Sequence, residues 1–399
     1  MRLAFVALHR YVGLSLAIFL TLLGLTGSVL AFKEPLDEWL NPRLFRIASR
    51  GPAFSSLDLV TRVEEADARA RVTYITLRSA PGLPAIFGVQ PRIDPQTHHP
   101  FDLDYNQVFV DPISGEFLGR RFYGAMSVDR EHVIPWLYRL HSSMLLPEHG
   151  SQWLLGIVAL VWLVHSCVGL YLTLPGASPL FRRWRRAWVV KKGSAFQMTF
   201  DVHRAAGSWF WALLVILAMT GLGLRLAIPL VRPVLARLSQ LTPLIFERRD
   251  ERSTDDPIEP AVLFADVIAP AEREAARRGW HDPASSAEYF PPFGIYSVRF
   301  HPPSDDDGRW GFGVPSLYFD ATNGRLLGEK VPRAGTTADV VMDAQFPLHS
   351  GHIAGLAGRI VVSMTGLATA TLAISGVMMW LRRTPLGKSP ASRRPAPTA

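Results

Sequence analysis

The chain has 399 residues, 48% of them hydrophobic and 19% charged, against about 25% charged in a typical soluble protein. Mean hydropathy is +0.15, and the apolar residues sit in four blocks separated by polar stretches, which excludes an ordinary soluble enzyme and points to a polytopic membrane protein. The net charge of +8 does not point to nucleic acid, because Arg182, Arg183, Arg185, Arg186, Lys191 and Lys192 follow one apolar block and Arg382 and Arg383 follow another, where charges set membrane topology.

The first block, residues 11–32, is long for a signal-peptide core and lacks a small-x-small cleavage site, so it reads as a span. The next polar stretch predicts a helix over 57–70, strands over 73–77 and 86–89, and a hairpin over 107–117 that turns at Pro-x-Ser-Gly. A second block covers 153–174 and contains the single cysteine, Cys167; with one cysteine there is neither a disulfide framework nor a Cys-x-x-Cys-His haem-attachment site. The third block covers 209–228. After it come a predicted helix over 261–278 and strands over 294–300 and 316–327, the last turning at Asn323-Gly324. The fourth block covers 360–381, and a Pro-, Ser- and Arg-rich tail after Pro385 reads as disordered. Each block holds roughly 20 residues, enough to cross a hydrocarbon core about 30 Å thick.

Lys and Arg in the flanks give the orientation. Arg2 and Arg10, the run from Arg182, and Arg382, Arg383 and Lys388 all belong on the cytoplasmic side. Both termini are then inside, and the two long polar segments face the periplasm of a Gram-negative cell, across its inner membrane. The organisation expected is a transmembrane helix at 1–32, an outer domain at 33–150, a helix at 151–175, a basic loop at 176–200, a helix at 201–228, an outer domain at 229–350, a helix at 351–383 and a cytoplasmic tail at 384–399. The fold class is an α-helical membrane protein with four transmembrane helices and two small α+β periplasmic domains.

The two halves repeat each other. Phe109-Val110-Asp111-Pro-x-x-Gly115 matches Tyr318-Phe319-Asp320-x-x-x-Gly324. His9-Arg10-x-x-Gly13 leading to Thr26-Gly27 matches His203-Arg204-x-x-Gly207 leading to Thr220-Gly221, with the same spacing, and Leu140-His141-Ser142 matches Leu348-His349-Ser350. Each half is helix, outer domain, helix, an internal duplication.

Of the 12 histidines, the informative ones stand at the mouths of spans. Topology puts His9 and His203 at the inner edge and His141 and His349 at the outer edge, so each face holds one pair at similar depth. Two imidazoles approaching from neighbouring helices suit bis-histidine ligation of b-type haem, two haems in all, and glycine at His+4 leaves room for a flat porphyrin. A lone interfacial histidine is commonly an amphipathic anchor, but ionisable residues near a span are costly and tend to be functional. Zinc fits less well, since its sites gather three or four ligands. His165, mid-span and four residues before Gly169, is a haem ligand, a partner for another helix or a relay. His352, three residues after His349 and on the same helical face, and His149, in the loop after His141, are alternative ligands to their neighbours. His98, His99, His132, His281 and His301 read as surface residues of the outer loops. Haem with histidine on both sides passes electrons and has no open position for substrate. No strand-Gly-x-Gly-x-x-Gly-helix segment exists for a flavin or nicotinamide, so electrons come from quinol or from a separate cytoplasmic protein.

Leu8-His9-Arg10-Tyr11-Val12-Gly13-Leu14, Leu140-His141-Ser142, Asp201-Val202-His203-Arg204-Ala205-Ala206-Gly207 and Pro347-Leu348-His349-Ser350-Gly351-His352, with Gly355 and Gly358, resemble the PepSY-associated transmembrane family, the iron-regulated membrane proteins. The resemblance covers about residues 5–385. It implies PepSY-like outer domains and a haem-containing inner-membrane reductase, with His9, His141, His203 and His349 matching the family's histidines and a ferric siderophore or other ferric chelate as acceptor. His165 and His352 depart from that pattern. PepSY domains are also associated with protease inhibition, so the alternative is a membrane-anchored module that binds a peptide or protease without redox activity.

Overall fold

The computed structural model describes residues 1–175, 180–253, 255–303, 305 and 311–383; the predicted tail lies outside them, as do residues 176–179 of the basic loop. The chain forms two compact units: a helical unit of Met1–Val29, Pro147–Arg225 and the chain from Ile360, and a sheet unit of Leu30–Leu146 and Leu226–Arg359.

The helical unit holds four transmembrane helices, Arg2–Leu30, Glu148–Thr173, Ala195–Arg225 and Gly355–Arg383. All exceed the length a bilayer needs, and their hydropathy is that of membrane spans. The first and third begin well before the apolar blocks, at Arg2 and Ala195, because polar flanking residues continue a helix without penalty. His9 and His203 therefore sit inside helices rather than at their starts. The first helix packs on the second through Leu16, Leu20 and Val158.

It meets the fourth by backbone contact. A Cβ on Gly24 would stand 2.5 Å from the Gly366 carbonyl oxygen, and one on Gly366 would stand 2.6 Å from that of Gly24. Ser28 Oγ donates to the Ser363 carbonyl at 2.9 Å and Ser363 Oγ to the Ser28 carbonyl at 3.0 Å. Small residues let two backbones approach so closely, and serine supplies the interhelical hydrogen bonds. Gly366→Ala is expected to cost about 1–3 kcal/mol by overpacking, read as a lower thermal midpoint in detergent. Gly150→Ala, with open space around it, is the control, and equal midpoints for the two variants would refute the close contact.

The sheet unit is one eight-stranded sheet of β1 (Ala70–Thr76), β2 (Ala85–Pro91), β3 (Gln107–Val110), β4 (Phe117–Arg121), β5 (Ala284–Phe290), β6 (Ile295–Phe300), β7 (Ser316–Asp320) and β8 (Leu326–Lys330). Its order, β4-β3-β2-β1-β5-β6-β7-β8, reads as two antiparallel four-stranded halves joined edge to edge. The seam pairs Tyr74 with Glu288, Ile75 with Ala287 and Thr76 with Ser286. The two predicted α+β domains are thus halves of one body. Helices Ser56–Ala66 and Phe264–Arg277 contribute Leu59, Val63, Val267 and Ala271 to a core shared with Val72, Phe87, Val298 and Leu317.

The duplication holds in detail. In both halves an aspartate's carboxylate accepts from the amide two residues on, Asp111 from Ile113 and Asp320 from Thr322, each at 2.8 Å. The amide of the following glycine bonds back to the aspartate's carbonyl, and Gly115 and Gly324 take φ of 75° and 69°, a region that favours glycine. Strand β5 lies outside the predicted elements, since Ala284-Ser285-Ser286-Ala287 lacks the β-branched residues that signal a strand. His301, expected on the surface, is buried beside Ser285 and Ser286, because it directly follows β6 and its amide continues the pairing by donating to the Pro283 carbonyl.

Candidate functional site

Three histidines from three helices meet in the helical unit. His9 and His203 lie on the first and third helices, and His165 joins them from the second. The His9 and His165 rings are 4.2 Å apart and nearly parallel, at 4°. Those of His9 and His203 are 6.2 Å apart at 78°. All three line a cavity of about 450 Å³ whose walls include Trp162, Trp211 and Trp380, within the size range of cofactor sites. His203 Nδ1 is hydrogen-bonded to Ser375 Oγ at 2.9 Å. His9 Nδ1 and Trp211 Nε1 are buried without a hydrogen-bond partner among the described residues, a cost that buried polar atoms rarely bear.

The glycines at His+4 do something other than expected. A Cβ on Gly13 would lie 3.2 Å from His165 Cε1, and one on Gly169 would lie 3.1 Å from His9 Cε1. The room they leave is taken by the imidazole of the facing helix, not kept for a porphyrin. In the second half Gly207 faces Leu372 at 3.6 Å and Gly376 faces His203 at 3.7 Å. The sequence carries a signal for His165 in His165-x-x-x-Gly169, the same spacing as His9 to Gly13.

Arginines crowd the cavity. Arg2, Arg10 and Arg204 line it. Arg2 donates to the Leu172 and Leu174 carbonyls, each at 2.9 Å, which satisfies acceptors left open at the end of the second helix. Arg204 pairs with the buried Asp201 at 2.8 Å and donates to the Arg186 carbonyl at 2.9 Å, and Asp201 accepts from the Lys191 amide at 3.2 Å. The basic loop is thereby fastened to the third helix.

The sheet unit brings together the other two histidines. His141 lies on the helix Val133–Ser143 and His349 on the helix Gln345–Ser350, and their rings are 6.2 Å apart at 55°. Neither belongs to a transmembrane helix. Met144, in the left-handed region, ends the first of these helices. The second ends at Gly351, with φ of 83°, where the chain folds back so closely that a Cβ on Gly358 would stand 2.1 Å from the Gly351 carbonyl oxygen. That turn corrects the placing of His352 on the same helical face as His349: it starts a separate short turn, His352–Ala354, with its ring 6.1 Å from Phe346. His149, expected in a loop, is exposed on the first turn of the second transmembrane helix.

No group of three or more His, Cys, Asp or Glu converges as a metal site among the described residues. What the geometry offers is pairs. With a metal–nitrogen bond of about 2 Å and the ring centre about 1 Å beyond, two imidazoles on opposite sides of one metal have centres about 6 Å apart. His9 with His203 and His141 with His349 have that spacing; His9 with His165 is too close.

The family described as the PepSY-associated TM region matches residues 6–383. No curated protein matches the chain.

Proposed function

The chain belongs to the PepSY-associated TM family, and from that premise we propose that it is an inner-membrane electron-transfer protein that holds two b-type haems and reduces a ferric chelate, a siderophore complex above all, in the periplasm. The observation that carries the reading is the pair of histidine pairs, one in each unit, with the same 6.2 Å separation.

The residues fit the group. His9 and His203 would hold one haem and His141 and His349 the other. Ser375, bonded to Nδ1 of His203, leaves Nε2 as the donor and fixes the ring, as partners of ligating histidines do. The tryptophans give the cavity apolar walls, and Arg2, Arg10 and Arg204 offer guanidinium groups to the carboxylates a haem carries. When bound, haem ligated by histidine on both faces exchanges single electrons and has no position open to oxygen or substrate.

The purified protein from haem-replete cells is expected to show sharp low-spin α and Soret bands, with haem that acid-acetone extracts. Pre-reduced anaerobically and mixed with a ferric siderophore and ferrozine, it should reoxidise in step with formation of the ferrous complex. A colourless preparation refutes the haem. Reoxidation by quinones but by no ferric chelate would instead make it a quinone-linked cytochrome. The basic flanks support a cytoplasmic position for both termini: reporter fusions after Leu40, Lys192 and Gly335 should read outside, inside and outside, and an inside signal at Leu40 overturns that orientation.

A second reading, a membrane-anchored peptide-binding module, draws on the sheet's ends. Strands β4 and β8 each pair on one side only, and an open edge accepts an added strand. The spectrum separates the two readings, since a binding module needs no pigment.

A further inference from the structure

We propose that His165 is a positioning residue for His9, fixing the rotation of the His9 ring by stacking on it; this rests on the haem reading above. The rings are 4.2 Å apart and parallel within 4°, and two imidazoles on opposite faces of one metal need about 6 Å between centres. His165 is therefore not the second ligand beside His9 in this arrangement.

The duplication supplies an internal control. The first and second helices run antiparallel, with His9-x-x-x-Gly13 facing His165-x-x-x-Gly169, so that each glycine receives the other helix's imidazole. The third and fourth repeat this with His203-x-x-x-Gly207 facing Leu372-x-x-x-Gly376. Leucine stands where the first half has His165. Three residues on, the second half has Ser375, whose hydroxyl holds His203 Nδ1 at 2.9 Å. The matching position in the first half is Val168, which has no hydroxyl, and His9 Nδ1 is buried without a hydrogen-bond partner among the described residues.

The same requirement is met by two means. A ligating imidazole that turns freely about its metal bond gives a spread of ligand geometries, and the groups around a ligand fix its orientation and tune the metal. In the second half the hydrogen bond between His203 Nδ1–H and the Ser375 oxygen does this; in the first, where valine cannot accept one, the flat face of His165 does. The two ligands of the inner site are thus held differently, one through Nδ1 and one through its ring face.

The test uses the full-length, haem-loaded protein, read by the low-spin ferric signals in electron paramagnetic resonance and by a redox titration. His165→Leu is expected to keep both haems, shift or broaden one low-spin signal and move one midpoint potential, leaving the other unchanged. His165→Phe, which keeps a flat ring, should restore the wild-type signal, and so should His165→Leu combined with Val168→Ser, which recreates the second-half arrangement. Loss of one haem in His165→Leu, as large as in His9→Ala, would make His165 a ligand and overturn the proposal. Unchanged signals and potentials would make it a space filler and overturn it as well. Should His165→Leu fail to fold, Leu372→His decides, because it brings a second ring to His203: a shifted signal supports the proposal and an unchanged one overturns it. A colourless wild-type protein removes the haem reading itself, and this inference with it.

Discussion

On the proposed two-haem reading, replacing His203 with alanine is expected to remove about half of the haem from the purified protein, since it would break one of the two proposed ligand pairs. His9→Ala should do the same to the same half, and His141→Ala or His349→Ala to the other. The expectation rests on two ring pairs, each 6.2 Å apart and each confined to one unit. Haem content per protein, measured as the pyridine haemochrome, reads it directly. Ser375→Ala grades the effect: it keeps the ligand and removes the hydrogen bond to Nδ1, so haem should still bind, but about 10–100-fold more weakly, the usual cost of losing a partner of a ligating histidine. Full pigment in both His203→Ala and His349→Ala would show that the haem, if present, is held elsewhere.

Arg121→Ala should destabilise the sheet unit by about 3–5 kcal/mol, the cost of leaving one member of a buried ion pair alone. Arg121 and Asp37 are both buried, and two nitrogens of the guanidinium meet the two carboxylate oxygens at 3.1 and 2.9 Å. Nε donates to Gln107 at 2.9 Å and a further bond reaches the Glu131 carbonyl at 3.2 Å. Phe45, Phe109 and Tyr123 stack around the cation. The node ties the helix Lys33–Leu40 to the edge strand β4, and Asn41 adds a bond to Asp37 at 2.8 Å. Lys330 occupies the equivalent strand end in the second half. It pairs with Asp343 at 2.9 Å, but its side chain is 49% exposed, so Lys330→Ala should cost no more than about 1 kcal/mol. Thermal midpoints of the two variants, with amide exchange at β3 and β4, test the contrast. Equal and small losses would mean that the buried pair is dispensable.

Much of this site is legible in the sequence. His9 and His203 stand out because the same His-Arg-x-x-Gly pattern opens two spans, and His141 and His349 because the same Leu-His-Ser precedes the other two. Duplication makes each a control for the other. The role of His165 is not legible there: which side chains meet across two helices depends on their register and rotation, and the matching position in the other half is a leucine. The displacement of His352 from the face of His349 has a similar origin. Spacing of three places two residues on one face only while the helix continues, and Gly351 ends it.

Sequence alone determined the four spans, because an apolar run long enough to cross a bilayer has no other stable solution in lipid. It also determined the repeat and its two aspartate–glycine turns, which are local hydrogen-bonded structures carried by a few adjacent residues. The tertiary structure alone decided that the two halves share one sheet. Strand β5 carries small polar residues in place of a strand signal and owes its conformation to neighbours on both sides, β1 and β6, so pairing rather than propensity makes it a strand. It also decided that glycines Gly13 and Gly169 each make room for a histidine of the opposite helix, because a missing side chain in a sequence does not say which side chain will fill the space.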